Sequence, residues 1–338
     1  MDFDQLAAEM LRALRGKRSQ VAFSRRLGYR SNIVARWENK RCWPTAAGAL
    51  QAAAKSGIDV RAQLAAFFLT PRSWLAEVKP ATAEGIVALL ADLRGSIAIV
   101  DLAREAGFSR FSVSRWLQGI SEPRLPDFLR LVEAASLRVL DFVAAFVDPA
   151  QLPSVAAQWN KREAAREAAF ARPWSHAVMR ALELEAYRQR PRHEPGFIAD
   201  RLGITLAEEE ACLQVLARAQ QIRRSANKWM LREGGAVDLR AESARVRDLK
   251  SFWFSVAQGR LEAGADGTFG FNLFAASEAD LVALREMYLA FFQQMQARIA
   301  QSQPSECVAL FSTQLLRLDA PPPAAAPESG RPLGRRGP

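Results

Sequence analysis

Apolar residues recur at helical spacing along most of the chain, and the same arrangement occurs twice in its first half. A shift of 79 residues aligns the two copies without a gap. The matched pairs are Gly28 and Gly107, Val34 and Val113, Arg36 and Arg115, Trp37 and Trp116, Pro44 and Pro123, and Leu50 and Leu129. Neither copy shows the alternation of a strand. The pattern therefore predicts two bundles of about five short helices each, over 1–72 and 81–150.

In the first copy, the pattern predicts a helix, a tight turn and a second helix with a polar outer face. A helix over 4–14 is followed by one that opens at Ser19, whose hydroxyl suits an N-cap, and stops at Gly28. The next helix spans 31–38 and buries Ile33, Val34 and Trp37, which leaves Ser31, Asn32, Ala35 and Arg36 facing outward. Such a face fits the major groove of DNA, where Asn can pair with adenine and Arg with guanine.

The segments SQVAFSRRLG (19–28) and SNIVARWEN (31–39) resemble the Xre/lambda-repressor-like helix-turn-helix. Helices after Pro44 and up to Phe68 complete the five-helix unit, so the resemblance covers most of 1–70. It implies a phosphate contact from Gln20 and base-reading positions at Ser31, Asn32 and Arg36. It also implies that the polar residues after that helix approach the DNA backbone, and here these are Asn39, Lys40 and Arg41.

The second copy departs from this pattern. No glutamine stands at the phosphate position, Phe111 replaces Asn32, and the turn that follows lacks basic residues. Arg110 and Arg115 could still reach DNA. The sequence leaves two alternatives open, a structural or dimer-forming unit and a second DNA reader.

The next segment, 170–235, has the pattern of a winged helix. After a charged helix over 158–172, the pattern predicts a helix from Trp174 to about Tyr187 and a short helix that ends at Gly203. These are followed by a helix from Thr205 to Gln220 and a hairpin over 223–232. Its candidate recognition helix carries Glu208, Glu209 and Glu210, which would repel phosphate. A protein-facing or dimerisation role is therefore favoured, with DNA reading as the alternative.

Residues 238–318 have the pattern of a small α+β region that could serve dimerisation or effector binding. The predicted order is a helix to about Leu261, a strand over 268–275, a helix over 278–299 and a strand over 307–318. Together with the winged-helix pattern, approximately 170–318 resembles a bacterial family of predicted transcriptional regulators. Those proteins join a helix-turn-helix region to an uncharacterised C-terminal domain, and the resemblance implies no effector and no site residue. The tail over 319–338, rich in proline, alanine, glycine and arginine, is expected to be disordered.

The positive charge is concentrated at the N-terminus. The net charge is +10, and residues 1–80 contain 14 Lys/Arg against 6 Asp/Glu, whereas 81–150 contain 7 against 9. A basic domain on an otherwise nearly neutral protein is typical of a polyanion binder. An arginine-rich protein with no such role is the alternative that charge alone leaves open.

No catalytic, cofactor or metal motif is present in the sequence. The two histidines, His176 and His193, lack metal-ligand spacing, and there is no P-loop, GxSxG or HExxH. The cluster at 252–254, Phe-Trp-Phe, could line an effector pocket or pack between helices. Three distant cysteines and the absence of an apolar run of about 18 residues favour a cytoplasmic protein with reduced thiols.

The sequence therefore predicts a mainly α protein. It has tandem five-helix helix-turn-helix domains, a winged-helix-like segment and a small α+β region. The expected function is a sequence-specific, double-stranded-DNA-binding transcriptional repressor, which acts as a homodimer on the bacterial nucleoid without enzymatic activity or cofactor. An unidentified effector or protein partner is compatible with this. The alternative is a protein-interaction or antitoxin-like module that uses its helix-turn-helix units for assembly.

Overall fold

The computed structural model describes residues 1–68, 72–232 and 243–319, and these are mainly α-helical with one two-stranded antiparallel hairpin. Contacts divide the chain into two units, residues 1–250 and residues 251–338. None of the described helices combines the length and the apolar character that crossing a membrane requires.

The first repeat folds into five helices. They are α1 (Phe3–Arg15), α2 (Gln20–Arg26), α3 (Ile33–Glu38), α4 (Ala46–Lys55) and α5 (Val60–Phe68). The predicted cap and turn are confirmed, because the Ser19 side chain accepts a hydrogen bond from the Ala22 N–H and Gly28 has a φ of +94°. However, α3 begins two residues later than predicted, since the Asn32 side chain is itself the N-cap.

The second repeat has the same five helices at equivalent positions. After a short connecting helix, α6 (Ser73–Glu77), they are α7 (Ala83–Arg94), α8 (Ile99–Ala106), α9 (Arg110–Leu117), α10 (Leu125–Ser136) and α11 (Val139–Ala144). The repeats also share an edge-to-face ring pair, Tyr29 with Trp37 and its equivalent Phe108 with Trp116. The tryptophans are buried and half-buried respectively, as their inward positions predicted.

The two repeats pair with each other about a local two-fold axis. Thr45 and Arg124, which are equivalent positions, form an antiparallel bridge. The Ala46 N–H donates to the Pro123 carbonyl at 3.0 Å, and the Leu125 N–H donates to the Pro44 carbonyl at 3.0 Å. Because each hydrogen bond is the image of the other under the 79-residue shift, the interface is isologous, like that of a symmetric dimer.

The helices around this bridge pack reciprocally. α1 contacts α10, and the equivalent α7 contacts α4. Gln51 donates to the Ala81 carbonyl, while its equivalent Arg130 lies over the Phe3 ring. One apolar cluster runs through both repeats, and Phe142 lies in it against Phe67, Phe128 and Phe146. The two repeats are thus parts of one core.

Polar contacts attach the following segment to this core. α12 (Ala156–Ala171) carries Arg166, which donates to the buried Asp141 carboxylate at 2.6 Å. The Glu9 carboxylate on α1 accepts hydrogen bonds from the Ser154 N–H and hydroxyl. The predicted helix over 158–172 is therefore confirmed as α12, and it is anchored to the second repeat.

Four helices and a hairpin follow. They are α13 (Trp174–Ala181), α14 (Glu185–Arg188), α15 (Phe197–Leu202), α16 (Leu206–Arg218), β1 (Ile222–Ser225) and β2 (Lys228–Leu231). The hairpin is confirmed, with Ser225 paired to Lys228 across a two-residue turn. The single helix predicted over 174–187 is wrong. A turn at 182–184 interrupts it, and this turn lets Leu182 and Leu184 both be buried.

Residues 251–319 form the second unit, and none of their described side chains is buried. Its helices are α17 (Ser243–Glu262), which starts in the first unit, and α18 (Glu278–Ala300). The strands predicted over 268–275 and 307–318 are wrong, because neither segment pairs into a ladder within the described residues. Apolar alternation alone does not make a strand without a neighbour to accept its N–H groups. Residues 233–242 and the predicted tail beyond Asp319 lie outside the described residues.

We expect Phe142→Ala to destabilise both repeats, which should still unfold in a single transition. Phe142 is 0 % exposed, and its removal from a core that both repeats share should lower the free energy of unfolding by about 3–5 kcal/mol. Urea unfolding followed by circular dichroism gives the measurement. The control is Phe111→Ala, since Phe111 is 80 % exposed and its loss should change stability by less than about 0.5 kcal/mol. Independent melting of the repeats would contradict the shared core.

Candidate nucleic-acid interface

A buried carboxylate holds α3 against the two preceding helices. Glu38 Oε1 accepts from Arg15 Nε at 2.6 Å, and Glu38 Oε2 accepts from Gln20 Nε2 at 2.8 Å. Burial acts to raise the pKa of Glu38, but the hydrogen bonds of Arg15 and Gln20 and the charges of Arg15 and Arg12 outweigh it, so this pKa is lowered. The ionised Glu38 therefore fixes α3 to α1 and α2 at neutral pH.

Gln20, expected to contact phosphate, is half-buried and already uses one amide proton on Glu38. An amide carries two N–H donors, so one remains for a ligand. The contact with Glu38 also orients the amide. The structure thus adds an internal role for Gln20 that the sequence did not reveal.

Asn32 is exposed, but its side chain is partly committed to the fold. Its Oδ1 accepts from the Ala35 N–H and from the Ser24 hydroxyl, both at 3.3 Å. Bidentate pairing with adenine needs both Oδ1 and Nδ2. Since Oδ1 already serves as the helix cap, Nδ2 is the atom that this residue can offer to a base.

Arg36 and Ser31 are both exposed. Among the described residues, the Arg36 guanidinium makes no hydrogen bond or ion pair, and it projects from a helix whose opposite face is buried through Val34 and Trp37. A guanidinium in this position retains all five N–H donors for a planar acceptor such as a guanine edge. Arg36 is therefore the strongest candidate for base recognition in α3.

The three polar residues after α3 have different environments. Asn39 caps the helix and donates Nδ2 to the Ala35 carbonyl at 2.8 Å. Lys40 has a φ of +57° and its Nζ lies 3.9 Å from Asp2, an exposed pair that contributes little. Arg41 is exposed, and its side chain has no partner in the described part of the chain. Lys40 and Arg41 thus place two positive charges beside α3.

Sequence reasoning missed other exposed cations of the first repeat. They are Arg12, Lys17, Arg18, Arg25, Arg26, Arg30, Lys55 and Arg61. The concentration of charge in residues 1–80 indicated such residues, but it did not show which of them face solvent. The buried Glu38 was also missed, because only the folded chain brings it to Arg15.

In the second repeat, Arg110, Phe111 and Arg115 are all exposed on α9. The Ser109 hydroxyl caps this helix by accepting from the Ser112 N–H, so α9 starts two residues earlier than the equivalent α3. The polar clamp is absent, because Ile99 and Leu117 occupy the positions of Gln20 and Glu38.

The acidic triplet of α16 is not the outward acidic face that the sequence predicted. Glu209 is buried, and its carboxylate accepts the N–H groups of Gly196 and Ala199 at 3.3 and 2.5 Å. The Glu208 carboxylate pairs with Arg172 at 2.9 Å, and the Glu208 N–H donates to the Thr205 hydroxyl, which caps the helix. Only Glu210 is exposed, so two of the three carboxylates serve the fold.

The hairpin after α16 presents basic side chains. Arg223 and Arg224 on β1 are exposed. The prediction that an acidic surface excludes nucleic acid from this segment therefore loses its basis. The DNA-reading alternative for 170–235 stays open.

Both histidines pack within the first unit, as predicted. Burial lowers the pKa of the half-buried His176 to about 4, with a smaller effect from Arg180. His193 lies 3.3 Å from the Tyr187 hydroxyl and 3.5 Å from Glu209. No group of metal-binding side chains occurs among the residues that the structure describes. Phe252 and Trp253 are half-buried and contact each other edge to face.

Comparison with known proteins finds one family. Residues 157–318, just under half of the chain, match a family model described as a domain of unknown function, DUF4423. The match starts in α12 and includes the hairpin, α17 and α18. No helix-turn-helix family model matches the chain. No curated protein and no solved structure matches it.

We expect Arg15→Met to lower the free energy of unfolding by about 3 kcal/mol, because it leaves the buried Glu38 without its closest cation. The internal repeat supplies the control. Leu117 stands at the position equivalent to Glu38, and the buried Nε of Arg94, the equivalent of Arg15, has no hydrogen-bond partner among the described residues. Arg94→Met should therefore cost less than about 1 kcal/mol. Equal losses in urea titrations would contradict the clamp.

The ion pair of Arg15 with Glu38 also predicts how the free energy of unfolding depends on pH. The pKa of Glu38 is lowered in the folded protein from its ordinary value of 4.5, so its stabilisation is complete above that value and is lost as the pH falls through the folded pKa. Urea titrations between neutral pH and pH about 3 should show a shallower acid loss for Arg15→Met than for Arg94→Met. An identical loss of unfolding free energy at low pH in the two variants would show that the Glu38 carboxylate does not stabilise the fold.

Proposed function

We propose that the protein is a sequence-specific, double-stranded-DNA-binding transcriptional regulator, more specifically a repressor, and that α3 reads the bases. The observation that carries this proposal is the exposed, unpaired Arg36 on a helix anchored from behind by the buried Glu38. A base-reading side chain needs a rigid support, because a misplacement of about 1 Å breaks a bidentate hydrogen bond.

The surroundings of α3 support the same function. α2, the turn at Gly28 and α3 have the order of a helix-turn-helix, and the remaining helices of the first repeat fit an Xre-like unit. Exposed cations flank α3 on both sides in the chain, among them Arg30 and Arg41. Phosphate contacts from such residues set the register of the protein on the duplex, while Arg36 supplies specificity.

The antitoxin-like or assembly role is the rival function. An assembly module would gain little from a cluster of like charges around α3, since unpaired charges that are buried in a protein contact lose their hydration without a compensating partner. We therefore place it second. If the Arg36→Ala variant bound DNA with wild-type affinity, the assembly role would be favoured.

We further propose that residues 251–319 make the protein a homodimer. Within this unit many large apolar side chains are exposed, and Phe271 is 91 % exposed. On α18 the exposed apolar residues surround the helix, namely Val282, Met287, Phe291 and Ile299, and a helix of this kind is normally buried.

We expect Arg36→Ala to weaken binding at the selected operator by about 1–3 kcal/mol and to relax base preference at one position. The operator is first selected from random duplexes with the full-length protein, and binding is then measured at fixed salt. The control is Arg61→Ala, a cation of the same repeat on α5, which should change affinity little.

Asn32 requires a substitution that keeps the cap. Asn32→Ser retains an oxygen acceptor for the Ala35 N–H but removes Nδ2. It should therefore reduce specific affinity by about 1 kcal/mol or more with little change in stability. Loss of stability with unchanged relative specificity would limit Asn32 to its capping role.

For the dimer, we expect Phe271→Asp to convert the full-length protein to a monomer in sedimentation experiments, because a charge would be buried in the contact. Leu137→Asp, at a side chain of the first unit that is also exposed, should leave the oligomeric state unchanged. A wild-type monomer, or a dimer that tolerates Phe271→Asp, would contradict this interface.

A further inference from the structure

Among the described residues, no hydrogen bond, ion pair or ring contact involves the exposed side chains of α9. Arg110 and Arg115 are exposed, and Phe111 between them is 80 % exposed. The contacts that α9 makes with other described residues come from its buried side, through Val113 and through Trp116 against Phe108. An exposed phenylalanine flanked by two arginines therefore needs an explanation outside the fold.

The local two-fold axis relates this face to that of α3. α3 ends at Glu38 and α9 at the equivalent Leu117, and each then runs into the reciprocal bridge of Thr45 with Arg124. A two-fold axis that carries one repeat onto the other also carries the outer face of α3 onto that of α9. Two helix-turn-helix units related in this way read half-sites in inverted orientation on one duplex.

The charge around α9 permits contact with DNA. Residues 109–120 contain two arginines and no acidic residue. Several carboxylates of the second repeat are engaged within the protein. Glu122 accepts the Ala47 N–H, Glu133 accepts the Val139 N–H, and Asp141 pairs with Arg166. The net negative charge of 81–150 therefore does not describe the surface that α9 presents.

We propose that α9 reads a second DNA half-site, inverted relative to the one read by α3, and that Phe111 contacts a thymine methyl group there. This inference rests on the proposed function of α3 and extends it. One chain then carries two unlike readers, Asn32 with Arg36 in the first repeat and Phe111 with Arg110 and Arg115 in the second. The operator of one chain is an imperfect inverted repeat, with half-site centres about one helical turn apart, ~34–36 Å.

The chemistry of the substitution supports this assignment. Asn32 can donate to an adenine edge, whereas an apolar ring in the equivalent place cannot form a hydrogen bond and fits the C5-methyl of thymine in the major groove. Arg110 and Arg115, one on each side of Phe111 in the chain, retain donors for guanine or phosphate. A protein-binding face is the competing explanation for Phe111, and the experiment below decides between them.

The test replaces thymines of the selected operator one at a time by uracil, which removes only the methyl group. With full-length wild-type protein, one position outside the α3 half-site should lose about fourfold in affinity, the value of one buried methyl group. With Phe111→Ala, which should fold normally because its ring is exposed, affinity should be lower overall and the same uracil should have no further effect. Leu137→Ala, at another exposed apolar residue, should retain the wild-type uracil response.

The outcomes separate this proposal from the one it rests on. If Arg36→Ala lowers specific affinity while no uracil position depends on Phe111, α3 reads DNA and α9 does not. If Phe111→Ala leaves DNA affinity intact but changes sedimentation of the full-length protein, the face binds protein and the second half-site is refuted. If neither Arg36→Ala nor Phe111→Ala changes specific binding, the function proposed for α3 fails as well.

Discussion

The organisation of the first unit depends on one reciprocal contact, the backbone pairing of Thr45 with Arg124. Its two hydrogen bonds, each 3.0 Å long, place equivalent residues opposite each other and so impose a local two-fold axis on the repeats. Around that axis α1 buries α10 and α7 buries α4. Neither repeat closes its own core, and the relative positions of α3 and α9 are consequently set by the core and not by a flexible linker.

The two repeats have kept their packing while their outer residues diverged. The edge-to-face pair of Tyr29 with Trp37 has its counterpart in Phe108 with Trp116. The polar clamp of Gln20 and Glu38 has been replaced as a pair, by Ile99 and Leu117. The equivalent of Arg15, Arg94, is retained, and its buried Nε has no hydrogen-bond partner among the described residues. The same packing can therefore carry two repeats with different outer surfaces. Two helices that contact different DNA sequences, as we propose for α3 and α9, require this.

The remaining segments show how burial changes the meaning of charge and apolarity. In α16, Glu209 caps the start of α15 from inside the protein, so an acidic run in the sequence is not an acidic surface. In residues 251–319 the reverse holds, since none of the described side chains is buried although many are apolar. The buried carboxylate of the first segment is satisfied within the chain, whereas many apolar side chains of the second are left exposed.

Periodicity and capping residues were enough to predict the helices of both repeats, the turn at Gly28 and the hairpin, because these depend on neighbours within a few positions in the chain. They also placed Arg36 on the outer face of the predicted base-reading helix. The Asn32 cap is equally local, since it reaches only the Ala35 N–H, but the pattern placed the helix start at Ser31. The clamp on Glu38 and the pairing of Thr45 with Arg124 were decided only by tertiary structure. Both contacts join residues that lie far apart in the sequence, and no local pattern shows which distant residues will meet. The same limit explains the wrong strands over 268–275 and 307–318. A strand exists only where another chain segment accepts its hydrogen bonds, and no pattern within the strand itself supplies that partner.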